Sequence, residues 1–263
     1  MTDVVDGATQ TLARQAHRNM VEAFASLPKH QPGGFVRRQD GIVVAATLSP
    51  IALFNAVLPA APHVEPTAFA AACRVMADRG LPWTAQLRED RDEKLVGVAQ
   101  DFGLLEIAEA SWPAMARATL PTQVALPSGF EVQRVSDAAG FEEHLAASGG
   151  DPRVTATWKG SGLLTDRRWM LFVGRADGRP VSKAMAFVEA GVIGIYDVST
   201  RAEARRRGYG SAITAAALAA GKRVGCAAAV LQSSAMARRM YEAQGFRFLF
   251  RYRAFKARSH EGP

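Results

Sequence analysis

Apolar residues recur at helical spacing through Leu12, Ala16, Met20, Ala23, Phe24 and Leu27, which predicts an amphipathic helix over residues 8–27. The period then changes to two. Runs at 35–38 and 42–47, turned at Asp40-Gly41, predict a strand pair, with a further short strand near 53–57. Residues 66–79 read as a helix, with a proline in the first turn and Gly80 just past the end. A strand over 83–87, a helix over 90–102 stopped by Gly103, and a strand over 104–108 complete this half.

Pro121, Pro127, Ser128 and Gly129 mark a change of composition, and a domain boundary is expected between residues 120 and 130. Beyond it, 130–135 reads as a strand and Asp137 as the cap of a helix to about residue 147. Residues 151–165 carry no clear period. Strands at 169–175 and 181–189 form a hairpin around Asp177-Gly178, and 192–199 continues the meander. A helix over 209–220 stopped by Gly221, a strand over 227–232, a helix over 235–244 closed by Gly245 and a strand region over 246–255 follow. The halves echo each other: Asn55 to Gly80 spans 25 positions and Asp197 to Gly221 spans 24, each with strand, helix and strand in the same order.

Composition narrows the class. With 48% hydrophobic and 22% charged residues the chain is globular, and its net charge of +7 favours an anionic partner. Two isolated cysteines, Cys73 and Cys226, make neither a disulfide framework nor a metal pair, so a reducing cytoplasm is the expected compartment. The opening residues, Met1 to Asp6, lack a basic segment followed by an apolar core, so no signal peptide is expected. Residues 42–61 are uncharged over 20 positions, but Pro50, Asn55 and Pro59 break the run, which favours buried strands over a membrane span. The five histidines have no metal-binding spacing, and no metal is expected.

The most informative stretch is Val198 to Tyr209, Val-Ser-Thr-Arg-Ala-Glu-Ala-Arg-Arg-Arg-Gly-Tyr, followed by Gly210 and Ser211. A strand there runs into an arginine-rich glycine turn and straight into an alanine-rich helix. Free N–H groups and the positive dipole end at such a helix start form an anion site. Glycines let a phosphate approach the backbone, and Arg205, Arg206 and Arg207 add permanent charge. The spacing Arg205-x-x-Gly208-x-Gly210 is neither a P-loop nor a dinucleotide fingerprint. In the first half the corresponding stretch is Pro59-Ala60-Ala61-Pro62, without arginine or glycine. Nucleic-acid binding through Arg201, Arg205–Arg207, Arg238–Arg239 and the run from Arg247 to Arg258 lacks interleaved aromatics, and no nucleic-acid or membrane partner is expected.

Downstream come Ser233-Ser234, Ala237 and Met240-Tyr241-Glu242-Ala243-Gln244-Gly245-Phe246. Together with the turn, this segment resembles the GNAT superfamily of acyl-coenzyme A-dependent N-acyltransferases over about residues 130–255. The whole chain looks like the tandem bacterial members, whose N-terminal half is a degenerate copy. The resemblance implies a mixed α/β fold of two GNAT-like domains, each with a mostly antiparallel sheet flanked by helices, at 1–125 and 126–263. It implies acetyl-CoA as co-substrate, a small-molecule or peptide amine acceptor, and an assembly that is monomer or homodimer.

Residue by residue, it implies that backbone N–H groups from Arg206 through Arg207, Gly208, Tyr209 and Gly210 to Ser211 hold the coenzyme A pyrophosphate, with the side chains of Arg205 to Arg207 assisting. Val198 falls where the family's fourth strand bulges, and its N–H would polarise the thioester carbonyl. Tyr241 matches the tyrosine that protonates the departing thiolate. Ser234 stands where the family usually has asparagine. Asp197 and Glu189 are both candidates for the general base, and a water chain would serve as well. Cys226 has no histidine nearby, which argues against an acyl-cysteine route. A non-catalytic acyl-CoA sensor would use the same binding residues.

Overall fold

The structure is a computed structural model that describes residues 7–147, 152–158 and 162–257. Its elements run in chain order as α1 (Gly7–Ser26), β1 (Phe35–Gln39), β2 (Ile42–Ala46), β3 (Asn55–Pro59), α2 (Pro66–Ala77) and β4 (Thr84–Arg88). After these come α3 (Val96–Asp101), β5 (Leu104–Glu106), β6 (Pro113–Arg117), β7 (Phe130–Arg134), α4 (Ala138–Ala146) and α5 (Pro152–Trp158). The chain ends with β8 (Trp169–Ala176), β9 (Arg179–Glu189), β10 (Val192–Thr200), α6 (Tyr209–Arg223), β11 (Ala228–Gln232), α7 (Arg238–Ala243) and β12 (Arg247–Ala257). None of the described helices is long and apolar enough to cross a membrane, and the uncharged stretch 42–61 forms the buried strands β2 and β3.

Two compact units divide the chain, which passes between them at Asn19/Met20, Ala114/Met115 and Leu249/Phe250. In the unit built around Met20–Ala114, strands pair in the order β1-β2-β3-β4-β12, with β5 also on β12. The far end of β12 supplies that last strand, Tyr252 to Lys256 lying antiparallel to β4. Phe69, Cys73 and Met76 of α2 close the core over Val44, Val57 and Leu87, all essentially inaccessible. Fully burying each large apolar side chain of this kind contributes about 1.5–3 kcal/mol.

In the unit built around Met115–Leu249, β11-β10-β9-β8-β7 form the sheet; β10 and β11 are parallel and the other pairs antiparallel. Alternation sends Ala184 and Ala186 of β9 into the core shared with Ile213, Ala217 and Leu218 of α6. Lys183, Met185 and Phe187 therefore face the opposite side. On α1, Asn19 is buried, and its amide donates to the carbonyls of Phe187 and Val192 while its oxygen accepts from the Tyr196 hydroxyl at 2.7 Å.

Local side-chain chemistry explains where the elements depart from the periodicity. β3 starts two residues later than the apolar run because Asn55 organises the preceding turn, donating to Ser49 O and Pro82 O at 2.8 Å each. The helix expected over 90–102 shortens to α3: Asp92 N–H closes a turn on Arg88 O, and its carboxylate accepts from Arg88 N–H at 2.9 Å. Gly221 lies inside α6 instead of ending it. A Cβ there would come within 2.6 Å of Ile193 Cγ2, so the glycine permits close helix–sheet packing, and the chain turns at Gly225, where φ is +85°.

Candidate active site

The site begins as a fault in a ladder. β9 and β10 pair regularly from Val192↔Glu189 to Tyr196↔Met185, then resume at Ser199↔Lys183, so Asp197 and Val198 together oppose Ala184. Two residues against one is a bulge, which bends the strand and leaves the extra residue out of the pairing. Asp197 takes the left-handed conformation, φ +46°, which aspartate tolerates better than most residues. The parallel pairing of β10 with β11 spans Val192–Ile195 and reaches no further than the bulge. Ser182, fully buried, secures the far side, donating to Ser199 O at 3.0 Å and lying 3.1 Å from Thr200 Oγ1.

Beyond the bulge the chain makes a short 3-10 turn over Ala202–Ala204 and curls into α6. Arg206 and Gly208 are both left-handed, at φ +61° and +80°, and Gly208 is the helix cap. With Arg205 extended before them, these two left-handed residues curl the backbone sharply into the start of the helix. Gly208 O accepts from Ala212 N, while the first N–H groups of α6 have no preceding turn to bond to. Tyr209 anchors the curl by stacking on Phe130 of β7, centroids 4.3 Å apart. Arg205 donates to Thr200 O, and among the described residues none of Arg205, Arg206 and Arg207 has a carboxylate partner. Arg238 and Arg253, by contrast, are paired with Glu242 and Glu106, each at 2.8 Å.

Tyr241 comes from α7, whose end is closed by left-handed Gly245: Phe246 N–H donates to Tyr241 O and Gly245 N–H to Glu242 O, both at 3.0 Å. Phe246, itself fully buried, meets the Tyr241 ring edge-on at 5.7 Å. Gln244 ties this helix to the start of α6, donating to Ser211 Oγ at 2.7 Å. Burial pushes the Tyr241 hydroxyl up to about 12, so it stays protonated through the neutral range.

One cleft of about 750 Å³ joins these parts. Val198, Arg205, Arg206, Gly208, Tyr209, Gly210, Ser211 and Tyr241 line it together. Arg207, Ser234 and Asp197 are not among the lining residues; Ser234 is exposed and its carbonyl caps the start of α7. Sequence reasoning missed Thr200 and Met240, which frame Gly210: a Cβ at that glycine would sit 3.5 Å from each. Glu189 lies four residues along β9 from Met185, roughly 13 Å away, with its carboxylate 3.0 Å from Arg18. That distance separates it from the bulge. Burial raises the pKa of the Cys226 thiol, so it is no ready nucleophile.

The corresponding crossover of the other unit is built differently. β3 and β4 are parallel around α2, as β10 and β11 are around α6, but β2 and β3 pair from Ile42↔Pro59 to Ala46↔Asn55 without a bulge. In the turn after β3, Ala60 N–H and Ala61 N–H both donate to Gly41 O, at 2.7 and 2.8 Å, and Pro62 has no N–H. Those donors are satisfied within the protein, which leaves none of them for an anion.

Bulge, glycine curl and helix start follow one another along a single stretch of the chain. Residues 141–246 match the model of the Acetyltransferase (GNAT) family, and this stretch of the chain is a GNAT domain. No curated relative matches the chain. Among solved structures it is similar to a GCN5-related N-acetyltransferase from Kribbella flavida, at 20% identity and TM-score 0.72, over 94% of this chain and 96% of that one. It is also similar to a tandem GNAT protein from the clavulanic acid biosynthesis pathway, at 12% identity and TM-score 0.60, over 100% and 98% of the two chains. A GCN5-related N-acetyltransferase from Sphaerobacter thermophilus aligns at 17% identity and TM-score 0.55, over 94% and 91%. The mixed α/β fold is shared with these proteins.

Proposed function

We propose that the chain is an acetyl-CoA-dependent N-acetyltransferase acting on a primary amine, with catalysis carried by the GNAT domain within residues 126–263. The observation that carries this reading is the single cleft that brings the bulge at Val198, the anion-ready curl from Arg205 to Ser211 and the buried Tyr241 together. The turn fits a pyrophosphate: its glycines leave room, and among the described residues its exposed arginines have no carboxylate partner.

In this reading the amine nitrogen attacks the thioester carbonyl carbon directly. Val198 N–H receives the negative charge that develops on the carbonyl oxygen; one such donor contributes about 10²–10³ in rate. As the C–S bond breaks, the Tyr241 hydroxyl donates to sulfur. With Tyr241 at about 12, complete transfer to a thiolate of ordinary pKa, about 8.5, runs uphill by about 5 kcal/mol. The step therefore goes to completion as the nitrogen releases its own proton and restores the tyrosine. The products are the amide and free coenzyme A thiol.

Thermal shift with acetyl-CoA, longer acyl-CoAs and a panel of amines, followed by coenzyme A release on the hits, tests the proposal. Stabilisation by acetyl-CoA with amine-dependent release is the expected result. Stabilisation without release by any amine would replace it with the acyl-CoA sensor, and no stabilisation would remove the coenzyme A site.

A further inference from the structure

The bulge that defines the site is held by a buried cation. Lys183, 3% exposed, reaches across from β9, and its Nζ lies 2.7 Å from Asp197 Oδ2. Its ladder partner is Ser199, the residue at which pairing resumes. Lysine is almost never fully buried unless paired, so among the described residues this ammonium depends on the Asp197 carboxylate. Asp197 in turn occupies a left-handed conformation that costs a non-glycine residue about 1–2 kcal/mol and persists where its surroundings impose it. Side chain and backbone of Asp197 are thus coupled: the ion pair keeps the residue at φ +46°, and that turn sets where the next N–H, on Val198, points.

We propose that Lys183 is a positioning residue, a latch that fixes the bulge through Asp197 and so aims the Val198 N–H at the thioester carbonyl, and that Asp197 serves this latch and is not the general base. The proposal rests on the acetyl-transfer reading for its kinetic consequence, but it has a binding consequence of its own. Acetyl-CoA has the carbonyl that Val198 would meet; coenzyme A lacks it. Loosening the latch must weaken acetyl-CoA and spare coenzyme A.

The experiment measures the affinities of acetyl-CoA and coenzyme A by calorimetry, and kcat and KM for the best amine, in Lys183→Met, Lys183→Arg, Asp197→Asn and Asp197→Ala. Asparagine tolerates the left-handed region and its amide oxygen can accept from Lys183. Asp197→Asn and Lys183→Arg are expected to stay within about threefold of wild type, because each keeps a donor facing an acceptor. Lys183→Met and Asp197→Ala are expected to weaken acetyl-CoA about 2- to 12-fold, the worth of one hydrogen bond, with coenzyme A unchanged. They should also lower kcat by at least tenfold. A loss of 10² or more in kcat for Asp197→Asn with the affinity ratio intact would make Asp197 the base and overturn the proposal. So would an unchanged ratio in both Lys183→Met and Asp197→Ala. If Lys183→Met does not fold, the two Asp197 variants carry the comparison. If wild type binds acetyl-CoA but turns over no amine, the acetyl-transfer reading fails while the affinity ratio still decides the latch.

Discussion

His144 provides the sharpest quantitative consequence of the structure. It sits on α4, 1% exposed, with Nδ1 2.9 Å from Phe172 O, so the neutral ring donates its proton to that carbonyl. Burial above all, and the Lys183 ammonium second, lower its pKa from 6.5 to about 4; the Phe172 hydrogen bond and Asp197 act in the other direction. Unfolding returns the ring to water and to 6.5. Below that value the unfolded chain binds a proton that the folded chain refuses, so stability is fully present above 6.5 and falls as the pH drops toward 4. Integrating between pH 7.5 and 5 with these two values gives a loss of about 2 kcal/mol from this one imidazole. Urea denaturation of wild type and His144→Phe at both pH values measures it. The substitution carries its own constant penalty, since Phe172 O loses a donor, but only the histidine titrates. Wild type should lose about 2 kcal/mol more than the variant over this range. Parallel losses would show that His144 is protonated in the folded protein, and that the pocket beside Lys183 is wetter than its burial implies.

Three further outcomes follow from the geometry. Tyr241→Phe should lower amine-dependent coenzyme A release by about 10²–10⁴ with little change in acetyl-CoA affinity, and equal rates would remove Tyr241 from the mechanism. Gly208→Ala places a Cβ on a backbone at φ +80°, a strain of about 1–2 kcal/mol at the glycine curl; calorimetry should show acetyl-CoA binding weakened roughly 5- to 30-fold, and unchanged affinity would mean the curl does not contact the ligand. Gly194→Ala drives a Cβ to 2.0 Å from Asn19 Oδ1 and 2.6 Å from Tyr196 Cε2, so the urea midpoint should fall by the equivalent of about 1–3 kcal/mol or more; a neutral result would mean that the Asn19 side chain can swing clear.

Much of this molecule is legible in order along the chain. Asp137 was readable as a cap, and its carboxylate accepts Gly140 N–H at 2.8 Å. Asp177-Gly178 joins β8 to β9 with both residues at positive φ. The glycine–arginine turn needs only its own dozen residues to form, because curl, cap and helix start are contiguous. What failed to show was anything whose partner lies far away. β6, from Pro113 to Arg117, is four-fifths buried and apolar without alternation, so no period betrays it.

The amino-acid sequence by itself determined most of the elements, the arginine–glycine turn before α6 and its absence after β3, since each depends on propensities and spacings within a few residues. Tertiary structure alone decided three things. It placed Gly221 against Ile193, which turned an apparent helix stop into a packing contact. It laid the C-terminal strand on β4, more than 150 residues upstream. It also set the register in which Asp197 and Val198 share one partner and Lys183 meets Asp197. Register is a relation between strands, and a bulge is a count of residues on one strand against another. Neither quantity exists until both strands are in place.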